Sequence, residues 1–233
     1  MTTELYLIRH GEAVANVEPI IGGMRGDAGL TARGREQARL LEERLRTEVL
    51  NADGLRAGHL YASTLPRARE TAEYVARALG LPVQPSEELH ELRPGDADGL
   101  TVDQWRERYP PPPVKDPFRP FSPGGESWAV FLVRAGAALT ALVDRHPDET
   151  VVAVCHAGIL EASFSLAYGM GGSAQRVSFA ALNTGITRWR HDRGPHGERR
   201  WTMVTFNDAG HLAGAATPAE SRHVAVPSPV GDV

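Results

Sequence analysis

The run Thr150-Val151-Val152-Ala153-Val154-Cys155 is the strongest strand signal in the chain, and it stops at a histidine, His156. Two other apolar runs behave alike. Leu5-Tyr6-Leu7-Ile8 ends at Arg9-His10-Gly11-Glu12, and His59 to Ala62 runs into Ser63-Thr64-Leu65-Pro66-Arg67. Helical patterns separate them. Thr31 offers an N-cap before inward positions Ala38, Leu41, Leu45 and Val49. Pro66 suits a first helical turn; Ala68, Ala72, Val75 and Leu79 follow on one face, and Gly80 stops the helix. Phe131, Ala135, Leu139 and Leu142 mark a long helix from Glu126 to about His146, and a further helix is expected from Ile159 to about Tyr168. Such alternation predicts an α/β fold: a three-layer α/β/α sandwich around a mostly parallel sheet.

The remaining segments add detail. Leu81 to Pro85 reads as a short edge strand, and Thr101 with Gln104 as a capping box before a brief helix. Late strands are expected around Val177, Ile186 and Met203. One domain over residues 1–210 is expected, with a proline-rich insertion at about 106–125 and a flexible tail over 211–233. In sheets of this kind functional groups gather beyond the carboxyl ends of the strands, so His10, Ser63 and His156 should converge.

Composition narrows the chemistry. Of 25 basic residues only Lys115 is a lysine, and no Gly-Lys-Ser/Thr triplet occurs, which closes the P-loop route to nucleotide phosphates. A phosphate or carboxylate must then be held by Arg, His, hydroxyls or backbone amides. A net charge of −4 argues against a nucleic-acid surface. No apolar run is long enough for a membrane span. One cysteine excludes an internal disulfide, and the expected location is cytoplasmic. No His-x-His or His-Glu-x-x-His pattern suggests a metal site.

Each site fragment is ambiguous alone. Arg9-His10 reads as a phosphate-suited pair or as a structural histidine. Arg67, in a first helical turn, reads as an anion ligand or an exposed helix arginine. Cys155 reads as a core residue. Glu91 reads as a proton donor or an ordinary loop carboxylate.

Together the fragments are specific. Leu7-Ile8-Arg9-His10-Gly11-Glu12 with Asn16, Leu30-Thr31 with Gly34, and Ser63 with Arg67, Ala68 and Thr71 occur in order. Glu91 with Gly95-Asp96 and Gly99 follows, then Pro123-Gly124-Gly125-Glu126-Ser127, His156 with Gly158, and Asn183-Thr184. Over residues 4–206 the chain resembles the histidine phosphatase superfamily, the phosphoglycerate-mutase-like group. The resemblance implies that His10 is a nucleophile that becomes a phosphohistidine. Arg9, Arg67, His156 and Asn16 would hold the phosphoryl group, with Ala157 beside them, and Glu91 would be the general acid and base. It implies no metal and no cofactor, a small phosphorylated substrate, and a homodimer as one open assembly.

Metal-independent phosphomonoester hydrolysis is the expected activity, with cofactor-dependent phosphoglycerate mutase as the alternative. Two segments depart from the pattern. Gly95-Asp96-Ala97-Asp98-Gly99 lacks an aromatic common in phosphatase relatives, and residues 20–26 do not match the sugar-acid loop of the mutases. Arg25, Lys115, Arg119 and Phe121 are the substrate-contact candidates around the pocket.

Overall fold

The computed structural model describes residues 1–51, 54–110, 116–169 and 179–214. In chain order the elements are β1 (Thr2–Arg9), α1 (Val14–Val17), α2 (Ala32–Leu50), β2 (His59–Ser63), α3 (Pro66–Leu79), β3 (Val83–Ser86), α4 (Val102–Arg108), α5 (Trp128–Arg145), β4 (Thr150–Cys155), α6 (Ala157–Tyr168), β5 (Ile186–Arg193) and β6 (Arg199–Asp208). They build one sheet in the order β3-β2-β4-β1-β5-β6. The first four strands are parallel; β5 runs antiparallel to β1, and β6 to β5.

Strand β4 sits between β1 and β2 and explains the layers. Val151, Ala153 and Cys155 pack with Phe131, Leu139 and Leu142 of α5 and Phe164 of α6. Val152 and Val154 pack with Leu41 and Leu45 of α2 and Ala68, Ala72 and Val75 of α3. Successive side chains point to opposite faces, so an unbroken apolar run is what a strand covered on both faces requires. Phe131 is completely buried, and truncating such a phenylalanine costs about 3–5 kcal/mol through lost transfer and a cavity.

The helix signals act at the expected positions. Thr31 accepts from the Gly34 amide, Ser127 caps α5 by accepting from Val130, and Thr101 with Gln104 forms the capping box of α4. Gly80 ends α3 at φ 67°, a left-handed conformation open to glycine. Pro85 lies on the edge strand β3, where a missing N–H costs least. Val49, expected inward, is exposed, and Leu79 is only half-buried; both fall in the last turn of their helices.

Gly210–Leu212 forms a 3-10 turn, and His211 Nε2 lies 2.9 Å from Thr184 Oγ1, so a specific contact reaches past residue 210. The expected strand near Val177, Lys115 and the tail from residue 215 lie outside the described residues.

Candidate active site

His10 and His156 follow the neighbouring strands β1 and β4, and Ser63 closes β2. The His10 amide donates to the Cys155 carbonyl at 3.0 Å, which ties the two strand ends together. Arg9, His10, Arg67 and His156 are 4, 3, 5 and 0% exposed, so the two guanidiniums among them need carboxylate and carbonyl partners.

The two bonds of the His10 ring fix its tautomer. Nδ1 lies 2.7 Å from the Gly11 carbonyl, which can only accept, so Nδ1 carries the proton. Arg67 Nε, which can only donate, lies 3.1 Å from His10 Nε2, so Nε2 carries the lone pair. Burial, then Arg67, then Arg9, push the His10 pKa well below 6.5, against the Gly11 hydrogen bond. At neutral pH this is a neutral imidazole with its unprotonated nitrogen facing a guanidinium.

The backbone around His10 is braced on both sides. A Cβ on Gly11 would lie 2.6 Å from the Gly34 carbonyl oxygen, and one on Gly34 would lie 2.0 Å from that of Glu12. Two glycines thus let the turn after His10 press against the start of α2. Glu12 is part of this brace: its carboxylate accepts from Thr31 Oγ1 at 2.8 Å and meets Arg33 Nη1 at 3.2 Å. On the other side Thr184 donates its amide to the carbonyls of Arg9 (2.9 Å) and His10 (3.3 Å). Thr184 holds φ 58°, a strained conformation for a β-branched residue. Asn183 Nδ2 donates to the His10 carbonyl at 2.9 Å and reaches Asn16 Oδ1 at 3.5 Å, which also accepts from the Ala13 amide at 2.9 Å.

Arg67 enters from the first turn of α3, after Pro66. Asp27 fixes it: the Arg67 amide and Nη1 donate to Asp27 Oδ2 at 3.2 and 2.8 Å, and Nη1 also donates to the Gly22 carbonyl at 2.8 Å. Arg9 donates through Nη1 to the Ala181 carbonyl. Burial lowers the Arg9 pKa to about 10, opposed by Glu91 and assisted by Arg67. It remains a cation at neutral pH.

His156 Nε2 lies 2.8 Å from Ser63 Oγ, while its buried Nδ1 has no partner among the described residues. Burial, Arg67 and His10 hold its pKa well below 6.5, and the two rings stand 5.1 Å apart. Ala157 opens α6 directly after His156, where first-turn amides are free of the helix ladder. Glu91 takes one of those amides: Gly158 donates to Glu91 Oε2 at 2.9 Å, and Leu92 donates to Oε1 at 3.0 Å. A Cβ on Gly158 would stand 2.0 Å from Glu91 Oε1, so glycine is required for this approach.

A clamp holds the segment bearing Glu91. Arg134 of α5 donates to Glu126 Oε1 and Oε2 at 2.6 and 2.7 Å, and to the carbonyls of Glu88, His90 and Glu91. Glu126 Oε2 also accepts from the Arg93 amide at 2.9 Å. This gives the glutamate of Pro123-Gly124-Gly125-Glu126-Ser127 a physical task. The sequence reading missed Arg134 and Asp27. A buried guanidinium needs a carboxylate, but these partners are contributed by loops and helices that no short motif joins.

The outer candidates divide. Phe121 is buried and stacks on Trp105 at 4.6 Å, with Ile21 and Ala97 in the same cluster. It is therefore core beneath the loops and not a substrate contact, and aromatic packing surrounds the small Ala97. Arg25 is exposed, with Nε 3.8 Å from Asp98, and Arg119 is exposed and donates to the Pro110 carbonyl at 3.0 Å. Asp98 accepts from the amides of Gly23, Arg25 and Gly26, which shapes the unmatched loop. Among the described residues, the one group of histidine and carboxylate donors with metal-like spacing lies elsewhere, at His59, His146 and Glu149.

Residues 5–209 match the family pattern of the histidine phosphatase superfamily (branch 1). The chain is 30% identical over 219 residues to phosphoglycerate mutase-like protein 4 of Arabidopsis thaliana, covering 90% of this chain and 86% of that one. Among solved structures it is similar to YhfR of Bacillus stearothermophilus, with TM-score 0.73 and 31% identity over 90% of this chain and 99% of that one. It is also similar to a mycobacterial glucosyl-3-phosphoglycerate phosphatase in complex with VO3, with TM-score 0.71 and 25% identity over 88% of this chain and 98% of that one. No helix among the described residues is long and apolar enough to cross a membrane.

Proposed function

The chain belongs to the histidine phosphatase superfamily (branch 1), and from that premise we propose that it hydrolyses small phosphomonoesters through a phosphohistidine on His10. The observation that carries the reading is the buried His10 ring, whose Nδ1–H donates to the Gly11 carbonyl and whose Nε2 faces Arg67. In the first step Nε2 attacks phosphorus in line, the N–P bond forms and the ester P–O bond breaks. Glu91 delivers a proton to the departing alkoxide. In the second step Glu91 takes a proton from water, whose oxygen attacks phosphorus as the N–P bond breaks, releasing inorganic phosphate and free His10.

Phosphoryl transfer asks mainly for position and fixed positive charge around the equatorial oxygens. Arg9 and Arg67 supply permanent cations, His156 Nδ1 and Asn16 supply further polar contacts, and the Ala157 amide adds a backbone donor. Two guanidiniums provide the charge neutralisation, so the steps route through no metal.

Hydrolysis is favoured over mutase action by the loop at residues 20–26, which lacks the sugar-acid pattern. The mutase reading is kept because the Arabidopsis relative is named mutase-like. Aryl phosphate turnover by the native chain and by His10→Ala tests the nucleophile; equal rates would overturn it. Phosphate release from a panel of phosphorylated metabolites, set against label exchange between 2- and 3-phosphoglycerate, separates the two activities. Exchange faster than release would make the chain a mutase.

A further inference from the structure

A second histidine pair lies at the amino ends of the same strands. His59 opens β2, and His146 and Glu149 flank the turn between α5 and β4. His59 Nε2 is 2.6 Å from Glu149 Oε2, and His146 Nδ1 is 3.9 Å from Glu149 Oε1. One donor atom from each of the three residues falls within 4.8 Å of the others. We propose that His59, His146 and Glu149 bind one divalent transition-metal ion of the zinc class, at the end of the sheet opposite His10.

Three observations support a built site. Two imidazole nitrogens and a carboxylate oxygen are the donor set that zinc takes at about 2.0–2.2 Å, which puts ligand atoms roughly 3.4 Å apart in a tetrahedron. His59 Nε2 and His146 Nδ1 lie 2.6 and 3.9 Å from the two different oxygens of the Glu149 carboxylate, on either side of that spacing. His146 has an outer partner, because its Nε2 lies 2.9 Å from Tyr61 Oη, which also accepts from Arg145 Nη1 at 3.4 Å. That arrangement leaves Nδ1 as the ligating nitrogen, and a hydrogen bond at the far nitrogen is the usual support for a metal-bound histidine.

The backbone is fixed as well. Thr3 Oγ1 donates to the His146 carbonyl at 2.8 Å, the Glu4 amide donates to the Glu149 carbonyl at 3.0 Å, and the Thr2 amide donates to Asp148 Oδ1 at 2.7 Å. The backbones of two of the three ligands are thus pinned to β1, while the Glu149 carboxylate is the most exposed of the three side chains and His59 is only partly covered.

Binding has a local cost. The His59 and His146 rings are stacked, with centroids 3.7 Å apart and planes at 29°. A metal must lie near the plane of each ring it binds, so His59, whose side chain is 27% exposed, must turn off the face of His146. The cation takes the place of the hydrogen bond between His59 Nε2 and Glu149, and the neutral ring keeps its proton on Nδ1. The fourth coordination position is left for water. The site joins the start of β2 to the α5–β4 turn, so its consequence is stability and not turnover.

The experiment uses the full chain without a histidine tag, stripped with chelator and titrated with Co2+ and then Zn2+. The expected result is one Co2+ per chain with tetrahedral visible absorption, displaced by Zn2+, retained in His10→Ala and lost in both His59→Ala and Glu149→Gln. Zn2+ at 100 times its Kd should raise Tm by about 5–10 °C in the native chain. It should leave His59→Ala unmoved. Absent absorption, absorption that survives in either His59→Ala or Glu149→Gln, or absorption lost in His10→Ala overturns the proposal, the last placing the ion on the catalytic imidazoles. His59→Ala should keep the aryl phosphate turnover, so failure of the metal site and failure of the phosphatase reading give different results.

Discussion

The two ends of the sheet each hold a pair of histidines, and their neighbours give them opposite characters. At the carboxyl end His10 and His156 stand 5.1 Å apart at 58°, with Arg9 and Arg67 around them. At the amino end His59 and His146 stack at 3.7 Å beside Glu149. Guanidinium groups keep an imidazole neutral and favour an incoming anion; a carboxylate favours a proton or a metal cation. On the two proposed readings the same side chain, at the two ends of strands some ~20 Å long, serves as a phosphoryl acceptor or as a cation ligand according to the charge it faces.

The largest contrast between the ends should come from alanine. His10→Ala is expected to lower aryl phosphate turnover by on the order of 10^4-fold or more, as loss of a nucleophile does. His59→Ala should stay within about twofold, since the substitution lies far from the reacting atoms. Comparable losses in the two would erase the functional division.

Asp27→Asn comes next. It removes the counter-charge of Arg67 in a nearly isosteric change, and breaking a buried pair costs about 3–5 kcal/mol of stability. A displaced Arg67 should reduce kcat by about 10- to 100-fold. Urea denaturation and steady-state kinetics read the two effects separately, and unchanged kcat would mean that Asp27 serves only the fold.

A glycine pair sharpens the comparison further. Gly158→Ala forces a Cβ to 2.0 Å from Glu91 Oε1, whereas the nearest atom to a Cβ on Gly136 in α5 is Leu166 Cδ1 at 3.9 Å. The first should lower kcat about 10-fold or more. The second should leave activity unchanged and stabilise by about 0.5–1 kcal/mol through helix propensity. A fully active Gly158→Ala would remove Glu91 from its proposed role.

The smallest effect is on pH dependence. His10 and His156 are held below 6.5 by burial and the arginines, and His211 is lowered to about 4, chiefly by burial. Unfolded imidazoles take up protons near their ordinary 6.5 while these do not, so the unfolded state gains protons first as pH falls. Stability is therefore full above about pH 7 and is lost progressively toward pH 4. The urea midpoint should fall between pH 7 and pH 5, while the acid limb of kcat/KM lies below 6.5. A midpoint unchanged over that interval would contradict neutral burial of these rings.

Much of the sandwich was legible because its signals are local. Thr31, Gly80 and the Thr101–Gln104 box act within a few residues, and β4 declares its double burial in its own composition. The motif residues His10, Arg67, His156 and Glu91 were legible through the resemblance, and the fold brings them to one edge. What stayed hidden is contact between distant segments. Asp27 meets Arg67 across 40 residues, and Arg134 reaches back to Glu91 across 43. His59 meets Glu149 across 90. Phe121 misled for the same reason: within a proline-rich insertion it reads as a substrate contact, while stacking on Trp105 makes it part of a small core.

Thr184 carries a consequence for synthesis on the ribosome. The carbonyls of Arg9 and His10 are held by the Thr184 amide and by Asn183, which lies 173 positions after His10. No nascent chain that stops short of Asn183 contains that support. His10, the proposed nucleophile, is made 173 positions before Asn183 and is seated only when β5 docks beside β1. During elongation at about 5–20 residues per second, the nascent chain therefore carries His10 for roughly 10 s or longer without this support.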